Sequence, residues 1–381
     1  MQEQRIKLAI FGDICPTKDY RNNFLGKPEI LFGSALELLQ EADFSVCNLE
    51  CPICEMTPAS QKTGPHLKSS YAEFEILKKS GLCACSLANN HILDYGKSGL
   101  VQTLSCLEEN RVLFWGAGVT SNQAAKPLYL EKSGLKIGLL SFAEQEFNRT
   151  SDGVGANIFD PYISLQQISA TKANCDRLIV LYHGGIEHYN YPSPLLQKKC
   201  RAIVDAGADA VLCQHSHCIG TIETYHNAPI LYGQGNSIFG YRETDASWNE
   251  GLVVMFEVDK DEMHIRYELL QALENGIILA DEDIRDVRLA QIVQESQKLA
   301  FPGFINREWK TFCEKTSPMY LPMLFGRGRA FNKINRILRN RLIQVLYPVR
   351  KKLVALNLIR CDAHREVVQT AIEELLFTER D

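Results

Sequence analysis

Short apolar runs of β-strand length recur along the first 270 residues of the chain, and polar stretches separate them. Several of the intervening stretches repeat their apolar positions with the period of an α-helix. This alternation of strands and helices predicts a largely parallel sheet in a layered α/β fold. Residues 251–270 alternate apolar and polar positions instead, which predicts an antiparallel hairpin. The predicted strands are 8–11, 44–47, 83–88, 112–115, 135–142, 177–182, 210–213, 229–232 and 252–258, and the predicted helices include 34–41, 71–80, 97–110 and 194–206.

The end of the chain has a different character, and we expect a domain boundary between residues 1–275 and a mostly helical extension over residues 276–381. Residues 327–365 carry eleven Lys and Arg side chains against Asp362 alone, so the extension is strongly basic. Within it, residues 331–346 repeat apolar positions with helical spacing and leave cations beside the apolar face. Such a helix packs on its own protein, or it lies on an anionic membrane surface or contacts a synthase complex.

The composition is that of an ordinary globular protein. The chain has 381 residues, 45% of them hydrophobic, and its 41 basic and 46 acidic side chains give a formal charge of −5. Disordered, collagen-like and coiled-coil classes are excluded, and the acidic main domain argues against a nucleic-acid partner. We see no run of 18 apolar residues and no export signal, so we expect a cytoplasmic protein, peripheral at the inner membrane surface if the basic helix binds there. The 13 cysteines are scattered through apolar runs, which favours reduced, buried thiols.

Polar side chains that can bind a metal follow the predicted strands one after another. The carboxyl ends of strands in an open α/β sheet lie along one edge, so these side chains can meet there although they are far apart in sequence. Carboxylate, imidazole and amide groups together suit Mn, Fe or Zn, and a pair of such ions could activate water for attack at phosphorus or polarise a carbonyl. The candidate residues are Asp13, Glu50, Asn90, His91, His183, His215, His217 and Asn236.

The pair of His215 and His217 is the first indication of a metal site. Residues two apart in an extended segment point to the same side, so both imidazoles can reach one ion. Taken alone, such a pair is as often an accident of the surface or core, and a lone carboxylate such as Asp13 is more often a turn or cap residue. His183 strengthens the metal interpretation, because it also leaves a strand and the two glycines after it let the backbone approach a ligand closely.

Short motifs occur in a fixed order at these strand ends, namely Gly12-Asp13, Asn48-Leu49-Glu50, Ala88-Asn89-Asn90-His91, Gly116-Ala117-Gly118, His183-Gly184-Gly185, Gly207-Ala208-Asp209, His215-Ser216-His217 and Gly233-Gln234-Gly235-Asn236. Over roughly residues 6–240 this set resembles the CapA family of poly-γ-glutamate capsule-synthesis proteins. That family is related to calcineurin-like metallophosphoesterases, so the resemblance implies a four-layer αββα sandwich with a dinuclear metal centre at one edge. It also implies a role in making or handling an anionic surface polymer.

Carried over residue by residue, the resemblance implies six metal ligands and one acid. Glu50 stands where the phosphoesterases have a bridging aspartate, and His91 matches the histidine that stabilises the attacked group or protonates the leaving group. Two residues depart from the phosphoesterase pattern. Cys15 replaces the histidine of the first motif, Asp-x-His, which leaves the identity and occupancy of one metal position open. Gln214 replaces the glycine before the paired histidines. The implied ligands of two divalent ions are Asp13, Glu50, Asn90, His183, His215 and His217.

Other residues near these motifs have two interpretations each. Glu187 could orient an imidazole or bind substrate, or it could form a salt bridge on its loop. Asp94 could hold the tautomer of His91, or it could cap a helix that begins near Tyr95. His91, Asp94 and Glu187 are therefore the candidate catalytic residues. The candidate substrate-binding residues are Asn89, Gly184, Gly185 and Asn236.

The segment Cys51-Pro52-Ile53-Cys54, beside Glu50, is a competing candidate for a metal or redox site. A structural zinc site needs four ligands, and a second pair of the same spacing is missing nearby. We therefore favour buried, reduced thiols at these positions.

The sequence as a whole predicts a metal-dependent hydrolase or transferase of metallophosphoesterase-like fold that acts on a capsule polymer of the poly-γ-glutamate type. One alternative is a plain phosphoesterase that hydrolyses small phosphate esters. The other is a non-catalytic component with a degraded metal site, which binds a polymer for membrane-bound synthases. The expected partner is in each case an anionic polymer or a phosphate ester.

Overall fold

A computed structural model describes residues 5–17, 20–324, 326, 328–339, 341–360, 364–365, 367–368 and 372. The strands are β1 (Ile6–Ile14), β2 (Phe44–Leu49), β3 (Ala84–Ser86), β4 (Leu113–Trp115), β5 (Ala117–Gly118), β6 (Leu128–Lys132), β7 (Leu135–Ala143), β8 (Gly155–Ala156), β9 (Arg177–His183), β10 (Ala210–Gln214), β11 (Ile222–Tyr225), β12 (Ala228–Leu231), β13 (Asn236–Ile238), β14 (Glu250–Val258), β15 (Met263–Leu273) and β16 (Gly276–Leu279). The helices are α1 (Pro28–Phe32), α2 (Leu36–Glu41), α3 (Tyr71–Lys79), α4 (Gly96–Glu109), α5 (Ser121–Ala124), α6 (Pro161–Lys172), α7 (Pro194–Asp205), α8 (Glu282–Gln297), α9 (Phe304–Leu324), α10 (Arg329–Ile337), α11 (Arg341–Leu346) and α12 (Val349–Arg360).

Two large sheets form the centre of the fold. The first has the order β16-β15-β14-β1-β2-β3-β4, with β13 also paired to β1, and the second has the order β11-β12-β10-β9-β7-β6. Strands β1 to β4 are parallel, as are β7, β9, β10 and β12, which confirms the parallel character predicted from the strand and helix alternation. The predicted hairpin is confirmed by the antiparallel pair of β14 and β15.

The two sheets pack face to face, and helices cover their outer faces. Leu8 and Ile10 of β1 share an apolar core with Leu181 of β9 and Leu212 of β10. The alternate residues of β1, including Phe11, face the other way and pack with side chains of α1 to α4. The outer face of the second sheet packs in the same manner against α6 and α7. The predicted four-layer αββα sandwich is therefore confirmed.

The position of helix α7 follows from its capping residues and its buried apolar face. Ser193 caps the helix by accepting a hydrogen bond from the backbone N–H of Leu196 at 3.1 Å, and Pro194 occupies the first position, where a missing N–H is tolerated. Cys200 and Ile203 continue the buried stripe that begins at Leu196. Full burial of one such aliphatic side chain stabilises the fold by about 1.5–3 kcal/mol. The helix thereby fixes the end of the loop that follows His183.

The first compact unit of the structure covers Met1–Ile305. It extends past the predicted boundary near residue 275, because β16 pairs with β15 and Ile292 of α8 belongs to the core between the sheets. The boundary between residues 1–275 and 276–381 stays a prediction about domain organisation. The other unit covers Asn306–Asp381.

The described part of the second unit is helical, as predicted. Several of its aliphatic side chains are largely exposed, including Ile337 at 79%, Val345 at 77% and Val349 at 72%. Two of the charged residues counted over residues 327–365, Arg327 and Asp362, lie outside the described residues. Within the described part of the chain, no helix has the length and apolar character needed to cross a membrane. A contact of this basic unit with a membrane surface or a synthase complex stays a prediction.

Candidate metal centre

Six side chains from both sheets meet where the parallel strands end. Asp13 is the penultimate residue of β1, Glu50 follows β2 directly, and His183 is the last residue of β9. The others lie on the loops that follow β3 and β10. All six are buried, and they come together as the strand-end motifs predicted. They are Asp13, Glu50, Asn90, His183, His215 and His217.

His183 lies at the centre of this arrangement. Its Nε2 is 3.0 Å from Asn90 Oδ1 and 3.4 Å from Glu50 Oε1, and its Nδ1 is 3.8 Å from Asp13 Oδ1. Asn48 links the two sheets, because its Nδ2 lies 2.7 Å from Asp13 Oδ1 and 3.1 Å from His183 Nδ1. Asn48 was part of a recognised motif but was not a predicted site residue. Its amide holds a carboxylate of the first sheet against an imidazole of the second.

The paired histidines reach the site by a different route from the one predicted. Strand β10 ends at Gln214, and both His215 and His217 have left-handed backbone, with φ of +88° and +51°. The assumption of an extended segment was therefore wrong, although both imidazoles do enter the site. The N–H of His215 donates to Asp13 Oδ2 at 3.0 Å, which anchors the turn to β1. Each such non-glycine conformation costs about 1–3 kcal/mol and is typical of functional sites.

The two buried groups of close ligand atoms in this site share one residue. Glu50, His183 and His215 form one group, and Asp13, Glu50 and His217 form the other, with ligand atoms within 4.8 Å of one another in each. Glu50 therefore belongs to both groups, and its role as a bridge between two ions stays a prediction. Nothing else in these groups is common to both.

Unpaired polar atoms support the metal interpretation. Both side-chain oxygens of Glu50 and Nδ1 of His215 are buried with no hydrogen-bond partner among the described residues. Buried polar atoms are nearly always satisfied, so unpaired carboxylate and imidazole atoms gathered at one point fit a cation-binding site. The donor set of carboxylate oxygens, imidazole nitrogens and an amide oxygen fits Mn, Fe or Zn.

Burial also shifts the ionisation of these groups toward their neutral forms. It raises the pKa of Asp13 from 3.8 to about 7 and that of Glu50 well above 4.5. It lowers the pKa of His183 to about 4 and that of His215 to about 3. A bound divalent cation would lower the pKa of both carboxyl groups, because its positive charge stabilises their ionised form.

The apparent affinity of the protein for Mn²⁺ is expected to fall about tenfold per pH unit below pH 7, and more steeply where Glu50 also takes up a proton. Asp13 must lose a proton to bind the ion, and its pKa lies near 7, whereas His183 and His215 are already neutral above pH 5. Calorimetric titration with Mn²⁺ between pH 5.5 and 8, in two buffers of different ionisation heat, measures both the affinity and the protons released. A flat affinity from pH 5.5 to 7 would contradict the assignment of Asp13.

Cys15 does not replace the missing histidine. Its side chain is buried in the core between the first sheet and its helices, and its thiol is hydrogen-bonded to that of Cys51. The close ligand groups found within the described residues include no cysteine, neither Cys15 nor the Cys51 and Cys54 pair. Every described cysteine is a free thiol, as the sequence indicated. Neither Cys15 nor a histidine at its position therefore adds a ligand beside Asp13.

His91 is held by a buried network that the sequence showed only in part. Its Nδ1 lies 2.7 Å from Asp94 Oδ2, which is the tautomer-fixing contact that was one of two interpretations of Asp94. The other interpretation was wrong, because α4 has Tyr95 as its N-cap and no side chain caps it. Lys62, a residue that was not predicted, forms an ion pair with Asp94 and lies 3.2 Å from His91 Nδ1. The N–H of Leu67 also donates to Asp94, at 2.6 Å.

The third candidate catalytic residue is not brought into contact with the others. Glu187 is exposed on the loop after β9 and forms no hydrogen bond or ion pair with another described residue. Neither the orienting role nor the loop salt bridge is seen for it. A role of Glu187 in catalysis stays a prediction.

The candidate substrate-binding residues have structural contacts of their own. Asn89 donates to Asn48 Oδ1 and to the carbonyl of Leu49, and Asn236 Oδ1 lies 2.8 Å from Nδ1 of His217. Asn236 therefore orients the imidazole of His217. Roles of Asn89 and Asn236 in substrate binding stay predictions.

The two glycines after His183 make room for a carboxylate that the sequence did not indicate. A Cβ on Gly184 would lie 2.4 Å from Cγ of Glu144, and Gly185 has a left-handed φ of +106°. The N–H of Gly185 donates to Glu144 Oε2 at 3.3 Å, and Lys199 donates to the other oxygen at 2.7 Å. These contacts, rather than a bound ligand, account for the glycines in this structure. Direct binding of substrate by Gly184 and Gly185 stays a prediction.

Comparisons with known proteins agree with the geometry. A family model described as Bacterial capsule synthesis protein PGA_cap matches residues 7–241. The chain is 27% identical over 292 residues to Capsule biosynthesis protein CapA of Bacillus anthracis, which covers 74% of this chain and 67% of that protein. It is 27% identical over 266 residues to PGA biosynthesis protein CapA of Bacillus subtilis, which covers 68% of this chain and 67% of that protein. A solved 5'-nucleotidase from Candida albicans superposes with a TM-score of 0.42 at 11% identity, over 78% of this chain and 59% of the nucleotidase.

Proposed function

The chain belongs to the bacterial capsule synthesis protein family, and from this premise we propose that it is a metal-dependent hydrolase or transferase acting on an anionic surface polymer of the poly-γ-glutamate type. The names of the two Bacillus relatives connect those proteins with capsule and PGA biosynthesis. A probable polyglutamine synthesis accessory protein of Mycobacterium tuberculosis, 26% identical over 243 residues, covers 55% of this chain and 60% of that protein. These names support the polymer class, and the chemistry of the site supports the reaction type.

The observation that carries the proposal is the pair of overlapping ligand groups that share Glu50. Two divalent ions would be held by Asp13, Glu50, Asn90, His183, His215 and His217, with Glu50 between them. Bound there, they would supply Lewis-acid polarisation of a substrate oxygen and a water nucleophile at neutral pH. Site burial strengthens every charge interaction in this region, because water is excluded.

His91 would handle the proton of the leaving group. Its Nδ1 is engaged by Asp94, which leaves Nε2 as the free ring nitrogen. Asp94 fixes the ring orientation, and Lys62 holds Asp94 in turn. A histidine positioned in this manner contributes typically about 10²–10⁴-fold to a reaction through proton transfer. Replacement of His91 is therefore expected to reduce turnover without affecting substrate binding.

One observation favours the non-catalytic alternative. The thiol of Cys15 lies in the apolar core, so the Asp13 position lacks an imidazole that an active phosphoesterase pattern would provide. A protein with one weakly held ion could bind a polymer without cleaving it. The two candidates differ in whether a bond in the polymer is broken.

The function is tested with the full chain, loaded with Mn²⁺ and incubated with poly-γ-glutamate or with an aryl phosphate. We expect turnover of the polymer, measured as new chain ends, and a loss of about 10²-fold or more in His91→Ala. His264→Ala, which removes an exposed histidine on β15, is the matched control and should retain full activity.

The remaining outcomes identify the alternatives. Turnover of aryl phosphate without any effect on the polymer would indicate a plain phosphoesterase. Polymer binding without turnover, unchanged in His91→Ala, would contradict the catalytic proposal and support the binding component.

A further inference from the structure

The loop between β13 and β14 places a cation beside the candidate metal centre. Arg242 belongs to this loop, and its guanidinium carbon lies 3.1 Å from the centre of the Trp248 ring. The same indole packs against the imidazole of His217, with ring centres 4.8 Å apart. The cation and a proposed metal ligand therefore contact one and the same side chain. No sequence motif pointed to either Arg242 or Trp248.

The loop is tied to the metal ligand by hydrogen bonds. The N–H of Arg242 donates to Asn249 Oδ1 at 2.8 Å, and the Asn249 amide donates back to the carbonyl of Arg242 at 2.7 Å. The carbonyl of Trp248 accepts from Asn236 Nδ2 at 2.9 Å, and Asn236 Oδ1 faces His217. Because both ends of the loop are fixed, the guanidinium is pre-positioned relative to the site.

The side-chain N–H donors of Arg242 and Trp248 have no hydrogen-bond acceptor among the described residues. The Arg242 guanidinium makes no hydrogen bond to another described residue, and its ion pair with Asp245 Oδ2 is long, at 3.7 Å. The other oxygen, Asp245 Oδ1, accepts from the Ser247 hydroxyl at 2.7 Å and from the backbone N–H of Trp248 at 3.2 Å. The indole Nε1 of Trp248 is buried and has no hydrogen-bond partner among the described residues. Unused N–H donors on a stacked guanidinium and a buried indole are the features of an anion receptor.

We propose that Arg242 and Trp248 form a subsite for an oxyanion of the substrate, next to the group that reacts at the metal centre. This inference rests on the proposed function and specifies its substrate as a molecule with at least two anionic groups. A γ-glutamyl chain has a carboxylate on every unit, so one carboxylate binds Arg242 while a neighbouring unit lies at the metal ligands. Arg suits this role because its planar fork binds a carboxylate or phosphate with two parallel hydrogen bonds.

The test measures ligand binding by the Mn²⁺-loaded full chain, with tri-γ-glutamate, pyrophosphate and inorganic phosphate as probes. We expect Arg242→Gln to weaken binding of a two-anion probe by about tenfold or more, and to leave bound manganese and the affinity for inorganic phosphate unchanged. Arg242→Lys keeps the charge without the planar fork and should recover only part of the affinity. Arg177→Gln is the control, because it removes a guanidinium at the opposite end of β9 from His183.

The outcomes separate the subsite from the proposed function. A selective loss for tri-γ-glutamate identifies a carboxylate polymer as the source of the anion, and a selective loss for pyrophosphate identifies a phosphate ester. Unchanged affinity of Arg242→Gln for both two-anion probes would overturn the subsite while leaving the metal centre intact. So would a loss of bound manganese in this variant, because the effect would then be structural. Failure of the wild-type protein to bind any of the three probes would overturn the subsite and the proposed function together.

Discussion

Replacement of Glu50 by Gln is expected to lower the bound divalent metal from about two equivalents to one or fewer, because Glu50 belongs to both ligand groups. Glutamine keeps the size of the side chain but has no charge and cannot bridge two cations with carboxylate oxygens. The loss therefore affects both positions at once. No other single substitution at the site removes a ligand that the two groups share.

The same substitution is expected to stabilise the metal-free protein. Burial raises the pKa of Glu50 well above 4.5, so the unfolded chain loses this proton at a lower pH than the folded one. The contribution of Glu50 to stability is therefore complete below about pH 4 and falls as the pH rises toward its folded pKa. Each unit of pKa shift corresponds to about 1.4 kcal/mol, and glutamine avoids this loss entirely. At pH 8, in a chelator, Glu50→Gln should unfold at a higher temperature than the wild type.

The order of stability should reverse when metal is added. Ligand binding at a thousand times Kd stabilises a folded protein by about 4 kcal/mol, and only the wild type can gain this in full. Thermal unfolding with chelator and with Mn²⁺ measures both effects, together with elemental analysis of the bound metal. Glu108→Gln is the matched control, since Glu108 is an exposed residue near the end of α4. A Glu50→Gln protein that keeps both equivalents, or that is less stable than the wild type in chelator, would contradict the bridging role.

Replacement of Asp94 by Ala is expected to reduce the free energy of unfolding by about 3–5 kcal/mol, because it leaves the buried cation of Lys62 without its partner. The Lys62 side chain is 5% exposed and that of Asp94 is 1% exposed, so neither charge is compensated by water. The substitution also removes the acceptor for the Leu67 N–H and for His91. Urea denaturation of the metal-free protein measures the change.

A second variant separates the charge effect from a general defect of folding. Lys62→Met together with Asp94→Ala removes both charges, and more than half of the lost stability should return. If the double variant is as unstable as Asp94→Ala, or if Asp94→Ala costs less than about 1 kcal/mol, the buried ion pair does not stabilise this loop.

The convergence of the candidate metal ligands was predictable because these residues follow strands of parallel sheets. Asp13, Glu50 and His183 each end a buried apolar run, and the geometry of a parallel sheet brings such ends to one edge. The layered fold followed from the same periodicity. Order within the sheets was not predictable, since β13 inserts beside β1 from more than 200 residues away.

Three residues that support the site were not among the predicted site residues, although Asn48 stood in a recognised motif. Asn48, Lys62 and Glu144 act through contacts with groups 29 to 135 positions away, and no local pattern marks such contacts. The left-handed backbone of His215 was equally hidden, because histidine gives no signal for a positive φ. The direction of the Cys15 thiol depends on core packing rather than on the motif it interrupts.

The most direct test of the account is the metal content of the wild-type protein purified without chelator, compared with that of His215→Ala. The account predicts about two equivalents of Mn, Fe or Zn in the wild type and a clear loss in the variant, because His215 belongs to one of the two proposed ligand groups. One equivalent or none in the wild type, or an equal content in both proteins, would contradict the dinuclear centre.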